Sequence, residues 1–204
     1  MNLVNTYVLI SFIILLLFYS AKTKYFIHLL IILILSLLNE VIYFLKLETY
    51  PFTSTLYIIL LFIIWLLILQ KTFQIPLALL QTVLAVFVVF SLTNLLFIEK
   101  MSFNKYTFVF GSLIYMVMYL IYSFKLLKTE NLSLFISNDF LLISAPILFF
   151  LGMSFLFGFR SYELTSTIVF GKMTLYKIIV YFVNFVYYTM MNLFILKERK
   201  KNYA

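Results

Sequence analysis

The sequence predicts an all-α integral membrane protein, a single bundle of seven transmembrane helices with almost nothing outside the bilayer. Three observations carry this. Of 204 residues, 65% are hydrophobic and 11% charged, where an ordinary soluble domain carries roughly 25% charged. Mean hydropathy is +1.13, and a soluble domain of this size keeps too much surface in water to hide so many apolar side chains in one core. The apolar residues also run on in stretches of about 20, the length of a membrane-spanning helix, instead of alternating as barrel strands do. In hydrocarbon every backbone group must be satisfied internally, so helices are what remains.

Taken in order, the stretches run at 4–20, 25–45, 52–70, 76–98, 106–125, 139–158 and 174–196. The first is preceded by no basic residue and followed by no small-residue cleavage site, so it reads as a retained helix and not a signal peptide. The second carries His28 near one end, an interfacial position, and Glu40 near the other. The third and fourth open at Pro51 and Pro76, where a missing N–H costs little. The fifth has a face of Ser112, Tyr115, Tyr119 and Tyr122. The sixth encloses Pro146, which predicts a kink with the Ala145 side opened up. The seventh runs into Lys197-Glu198-Arg199-Lys200-Lys201. Links are short. The longest joins Lys125 to Asp139, and its Leu132-Ser133-Leu134-Phe135-Ile136 core is expected along the interface. The segment from Phe159 to Met173 is the other place for structure outside a helix. No internal repeat is visible, so an inverted-repeat carrier gains no support.

Composition removes several kinds of chemistry. With no cysteine and one histidine, disulfide frameworks, thiolate sites and multi-histidine metal centres are excluded, and no cofactor is expected. Four glycines leave no material for glycine-rich phosphate loops; they also imply that bulky side chains do most of the helix packing. The net charge of +8 sits mostly at helix ends, which points to anionic membrane lipids and away from nucleic acid. Lysine and arginine gather on one side, at Lys22, Lys24, Lys71, Lys125, Lys128, Lys197, Arg199, Lys200 and Lys201. The other side holds Lys46, Lys100, Lys105 and Arg160, with Lys172 and Lys177 at the start of the last stretch. The positive-inside rule then places the carboxyl terminus in the cytoplasm and the amino terminus outside.

The polar residues within the spans are the candidate site. Glu40 follows Asn39 inside an otherwise apolar helix, and an ionisable group there is costly, faces the bundle interior and is a functional candidate by default. Lys177 is its natural partner. Glu40 lies about 24 Å along an ideal helix beyond Lys24, and Lys177 about 30 Å before Lys197, so both fall in the outer part of the membrane. Lys177, Tyr181, Asn184, Tyr188 and Asn192 follow at spacings of four, three, four and four, which puts them on one helix face. That stripe is either interhelical glue or the wall of a ligand site. Thr93, Asn94 and Asn39 are expected to join a polar cluster around Glu40.

A lysine in the seventh helix invites comparison with retinal proteins, but Lys177 lies near a helix end, the third helix has no carboxylate, and Trp65 is the only tryptophan. One histidine and Asp139 cannot build the constellation of an intramembrane hydrolase; a lipid-modifying enzyme using Glu40 alone stays open.

Asn138-Asp139-Phe140-Leu141-Leu142-Ile143, then Gly152, Phe155 and Phe157, and then Tyr181-Phe182-Val183-Asn184 through Asn192, together with a carboxylate late in the second helix, resemble small uncharacterised seven-helix membrane proteins of Bacteroidetes-type bacteria. The resemblance covers about a third of the chain, which departs from it in having few tryptophans. It implies a sensory or signalling partner of membrane histidine kinases. The reading is therefore a non-enzymatic, receptor-like or signalling protein. Its outward-facing pocket is formed by Glu40, Asn39, Lys177, Tyr181, Asn184 and Tyr188, and it is served by a small-molecule ligand and a cytoplasmic or membrane protein partner. The alternatives are a small transporter or substrate-binding subunit, and an assembly subunit of a membrane complex.

Overall fold

The computed structural model describes residues 3–19, 23–100, 102–130, 132–158, 166–171 and 173–203. Lys22, Arg160 and Lys172, used above to orient the chain, and residues 159–165 of the last link lie outside them. The described residues form helices α1 (Leu3–Phe18), α2 (Phe26–Phe44), α3 (Tyr50–Phe73), α4 (Leu77–Thr93), α5 (Lys105–Lys128), α6 (Ser133–Ile136), α7 (Asn138–Gly158) and α8 (Leu175–Tyr203), with a short hairpin of β1 (Ile168–Phe170) and β2 (Met173–Thr174) before α8. Six of the helices are long and apolar enough to cross a membrane: α2, α3, α4 with its extension, α5, α7 and α8. The first is shorter, at 16 residues.

The chain is all-α apart from that hairpin, whose turn is made by Gly171 at a φ of 58°, a conformation that costs glycine nothing. Elsewhere glycine is too scarce to end the helices. Lys46, Gln74, Lys100 and Glu130 take the left-handed conformation beyond α2, α3, α4 and α5 in its place. Pro51 sits in the first turn of α3 and Pro76 caps α4. The fourth helix ends in a wide π turn over Asn94–Ile98. There Asn94, fully buried, donates to Glu99 Oε2 at 2.8 Å and to Thr107 Oγ1 at 2.9 Å, which ties the end of α4 to the start of α5.

Helix α3 is the most enclosed helix, while α2 and α4 are among those that keep most of their surface outward. That is what an apolar sequence on all sides of α3 allows. The centre of the bundle is aromatic. Phe62 stacks on Phe150 at 4.5 Å and meets Phe87 and Phe108 edge-on. One layer away, Trp65 meets Tyr115 and Tyr187 edge-on and donates its indole N–H to the Tyr187 hydroxyl at 3.1 Å.

One expectation changes. Helix α7 runs unbroken across Pro146, and Ala145 is fully buried, not opened up. Proline frees a carbonyl in the preceding turn and crowds it, and the Tyr115 hydroxyl donates to Ile143 O at 2.7 Å in that turn. Two tyrosines of the α5 face are thus spent on α7, since Tyr119 also bonds Ser144 at 3.0 Å. Bulky side chains do most of the packing, and two glycines add close approaches: Gly111 is pressed against Phe62 of α3 and Gly152 against Val183 of α8.

At the end where α2 begins, the helices are tied by charge. Asp139 at the start of α7 accepts from Lys24 at 3.2 Å and from the Tyr25 hydroxyl at 3.1 Å. Tyr25 also bonds Thr72 at 2.8 Å, and Lys71 donates to Lys24 O at 2.6 Å. Burial pushes the Tyr25 phenol well above its usual ionisation range, and the neighbouring Asp139 charge acts in the same direction, so it stays a neutral donor.

Candidate functional site

At the opposite end of the bundle the four helices α2, α3, α7 and α8 leave a gap. Helix α2 packs on α1 and α3, and α8 packs on α7 and α1. The cavity between these pairs has a volume of about 500 Å³, within the range of small-molecule sites. Val4 and Val8 of α1 close one side, and Phe103, Phe108, Phe149, Met153 and Phe157 make an apolar wall.

All six residues expected to form a pocket line this cavity: Asn39 and Glu40 from α2, and Lys177, Tyr181, Asn184 and Tyr188 from α8. The α8 stripe reads from mouth to floor. Lys177 is exposed, Tyr181 half-buried, Asn184 6% exposed and Tyr188 4% exposed. The opposite wall descends likewise from exposed Tyr43 through half-buried Glu40 and Asn39 to buried Ser36. Both gradients follow from helical periodicity: residues three or four apart share a face, and this face points into the gap.

The polar groups of the walls are held in place. Ser54 donates to Asn39 Oδ1 at 2.8 Å, which fixes the amide of α2 against α3. Ser36 donates to Ile32 O of its own helix and pairs with the Tyr57 hydroxyl at 3.1 Å. Asn184 donates to Val180 O, also within its own helix, so this amide N–H₂ does not bridge to a neighbour as a glue residue would.

The two charged residues are not so held. Among the described residues neither the Glu40 carboxylate nor the Lys177 ammonium has a hydrogen-bond or ion-pair partner. The expected Glu40–Lys177 pair is therefore not formed. They stand on helices separated by the cavity, and its width replaces the contact. Tyr50, Tyr57 and Tyr188 lie within electrostatic reach of Glu40. Among the described residues no group of three or more histidine, aspartate or glutamate side chains is placed to hold a metal ion.

Two residues proposed for the cluster, and one of the α8 stripe, lie elsewhere. Asn94 is taken up by Glu99 and Thr107. Thr93 bonds back to Val89 O on an exposed face. Asn192 does not line the cavity. Conversely, Tyr43, Tyr50, Ser54, Tyr57 and Tyr176 line it and were not singled out. The first four lie on either side of the link between α2 and α3. The spacing from Ser36 through Asn39 and Glu40 to Tyr43 was the available signal, since it marks one face of α2. No protein-family model matches the chain, and neither a curated protein nor a solved structure does.

Proposed function

We propose that this chain is a non-enzymatic, receptor-like seven-helix protein of a bacterial cytoplasmic membrane, and that its cavity takes a small molecule from the outer face. The observation that carries this reading is the cavity: apolar on one side, walled by polar residues of α2 and α8 graded in depth, and set between helix pairs that it keeps apart. A ligand shifts an equilibrium only by binding one packing better than another, and a molecule that fills this gap binds best where α2 and α8 close on it.

The output runs through α8, whose 29 residues form a single helix. That is about 43 Å, longer than the roughly 30 Å hydrocarbon core. The wall of the cavity and the basic tail beyond Lys197 are thus one continuous element, and a shift at one end reaches a cytoplasmic or membrane protein partner at the other. The resemblance to Bacteroidetes-type seven-helix proteins agrees with such a partner.

Helix α1 counts as the seventh crossing. Its 16 residues span about 24 Å, short for a span. It nonetheless runs parallel to α8 from the cavity to the far end: Val4 and Val8 line the cavity, Tyr7 meets Phe185, and Tyr19 meets Phe194. The basic residues at the far end support a cytoplasmic side there.

The absence of cysteine makes the topology directly testable. In intact cells or spheroplasts, Lys46→Cys should react with a membrane-impermeant maleimide, and Lys128→Cys only after permeabilisation. The reverse pattern would invert the orientation and place the cavity on the inside.

The ligand reading is tested by purification in mild detergent and native mass spectrometry. A stoichiometric small molecule or lipid is expected. A stoichiometric protein partner with an empty chain would mean that the polar residues serve assembly, and would overturn it. In vesicles, binding without accumulation is expected; accumulation would make the chain a transporter.

A further inference from the structure

The cavity has a charge pattern that a generic small-molecule site does not need, and it narrows what can bind. Resting on the ligand reading above, we infer that the cavity is built for a zwitterion: a molecule with an ammonium group for Glu40, an acid group for Lys177 and an apolar body between them.

The two charged residues line the cavity from α2 and α8, Lys177 exposed at the mouth and Glu40 half-buried. Glu40 lies four residues before the end of α2, and Lys177 is the third residue of α8, so both stand about 3–6 Å inside their helix ends. They share the cavity yet form no ion pair, and neither has another partner among the described residues. Leaving the half-buried Glu40 carboxylate without a partner is unfavourable, and the Lys177 ammonium stands exposed at the mouth of the same cavity. A molecule that presents a cation to Glu40 removes that deficit, and an anion at its other end meets the Lys177 ammonium.

The surroundings suit each end of such a molecule. Beside Glu40, Tyr43 and Tyr50 pair their rings at 5.1 Å, and Tyr57 and Tyr188 bring further rings and hydroxyls to the same cavity. Aromatic faces attract ammonium groups, and a carboxylate with hydroxyls accepts the N–H bonds. A divalent metal would want several oxygen ligands, whereas Glu40 is the one carboxylate among the described residues lining the cavity. A bare cation would be opposed by Lys177, and a bare anion by Glu40. The phenylalanine wall, with Phe108, Phe149 and Phe157, receives the apolar part.

An ammonium and an acid on a short linker occur both in free amino-acid-like molecules and in the headgroups of zwitterionic phospholipids. The test separates the two. The full chain is placed in nanodiscs of phosphatidylglycerol alone and titrated with phenylalanine, phenethylamine and 3-phenylpropionate, which share one ring and differ in charge. The same titration is repeated with phosphatidylethanolamine added to the disc, while native mass spectrometry reads bound lipid. If the source is a free zwitterion, phenylalanine should bind at least about tenfold tighter than either single-charge analogue, the scale of one charged hydrogen bond. If the source is a lipid, phosphatidylethanolamine should be retained in preference to phosphatidylglycerol and should displace the amino acid. In either case Glu40→Gln should remove the preference for the ammonium and leave that for the acid, and Lys177→Gln should do the opposite. The double variant Glu40→Lys with Lys177→Glu should restore binding, which a folding defect would not. Equal binding of the three probes, variants with no effect on the preference, or no retention of any zwitterion would overturn the inference. A co-purified molecule lacking either charge would sink it too, while leaving the ligand reading standing.

Discussion

Replacing Trp65 with alanine is expected to cost about 3 kcal/mol of stability in detergent, the lower end of what such truncations cost in soluble cores. The side chain is fully buried and sits edge-on to Tyr115 and Tyr187. In a bilayer protein the unfolded reference stays in an apolar medium, so little hydrophobic transfer energy is lost. What is lost is close packing, and the indole has many contacts to lose. The hydrogen bond from its N–H to the Tyr187 hydroxyl, at 3.1 Å, is the smaller part. Interhelical hydrogen bonds in membranes average about 0.6 kcal/mol. Trp65→Phe keeps a ring and loses the donor, so it should cost clearly less than Trp65→Ala. Combined with Tyr187→Phe it should show a coupling of about 0.6–1 kcal/mol. Unfolding measured by circular dichroism decides between the two contributions: a Trp65→Phe as costly as Trp65→Ala would mean that the hydrogen bond, and not the packing, holds this layer.

The same contrast between what is local and what is collective explains which features could be read from the chain. Spanning helices show because their apolar runs are self-contained, and their observed ends fall within a few residues of those expected except at α8, which continues to Tyr203. Its tail is helical because nothing in Lys197 to Tyr203 breaks a helix, and hydropathy marks where a membrane stops, not where a helix does. The six expected pocket residues were legible because a polar side chain on an apolar helix has few places to go, and periodicity says which of them share a face. Partnership was not legible. Asn94 looked like a neighbour of Glu40 by depth, but the wide turn at the end of α4 takes it to Glu99 and Thr107. Glu40 and Lys177 were matched by depth as well, and only the packing of α2 on α3 and of α8 on α7 shows that a cavity keeps them apart.

Gly111→Ala should destabilise the protein even though alanine is the better helix former by about 1 kcal/mol. A Cβ at this position would stand 2.7, 2.8 and 2.9 Å from three carbons of the Phe62 ring. The ring has nowhere to retreat: it is fully buried, stacked on Phe150 at 4.5 Å and held edge-on by Phe87 and Phe108. Overpacking costs about 1–3 kcal/mol, and a ring held on every side puts this site in the upper part of that range, so the steric term outweighs the helix preference and a net loss of about 1–2 kcal/mol is expected. Gly152 is the informative comparison. Its added Cβ would meet Val183 Cγ1 at 2.5 Å, but the next nearest atom lies at 3.5 Å. One methyl carries the clash there, and Val183→Ala removes it. The pair Gly152→Ala with Val183→Ala should therefore recover most of the stability lost in Gly152→Ala. Gly111→Ala should be relieved only by shrinking the ring itself, as in Phe62→Leu, which opens space in the aromatic core and carries its own cost. Thermal unfolding of the four variants in one detergent reads the difference. If Gly111→Ala left the midpoint unchanged or raised it, the close approach of α5 to α3 would be wrong, and with it the position of the aromatic core from which Phe108 and Phe149 reach the cavity.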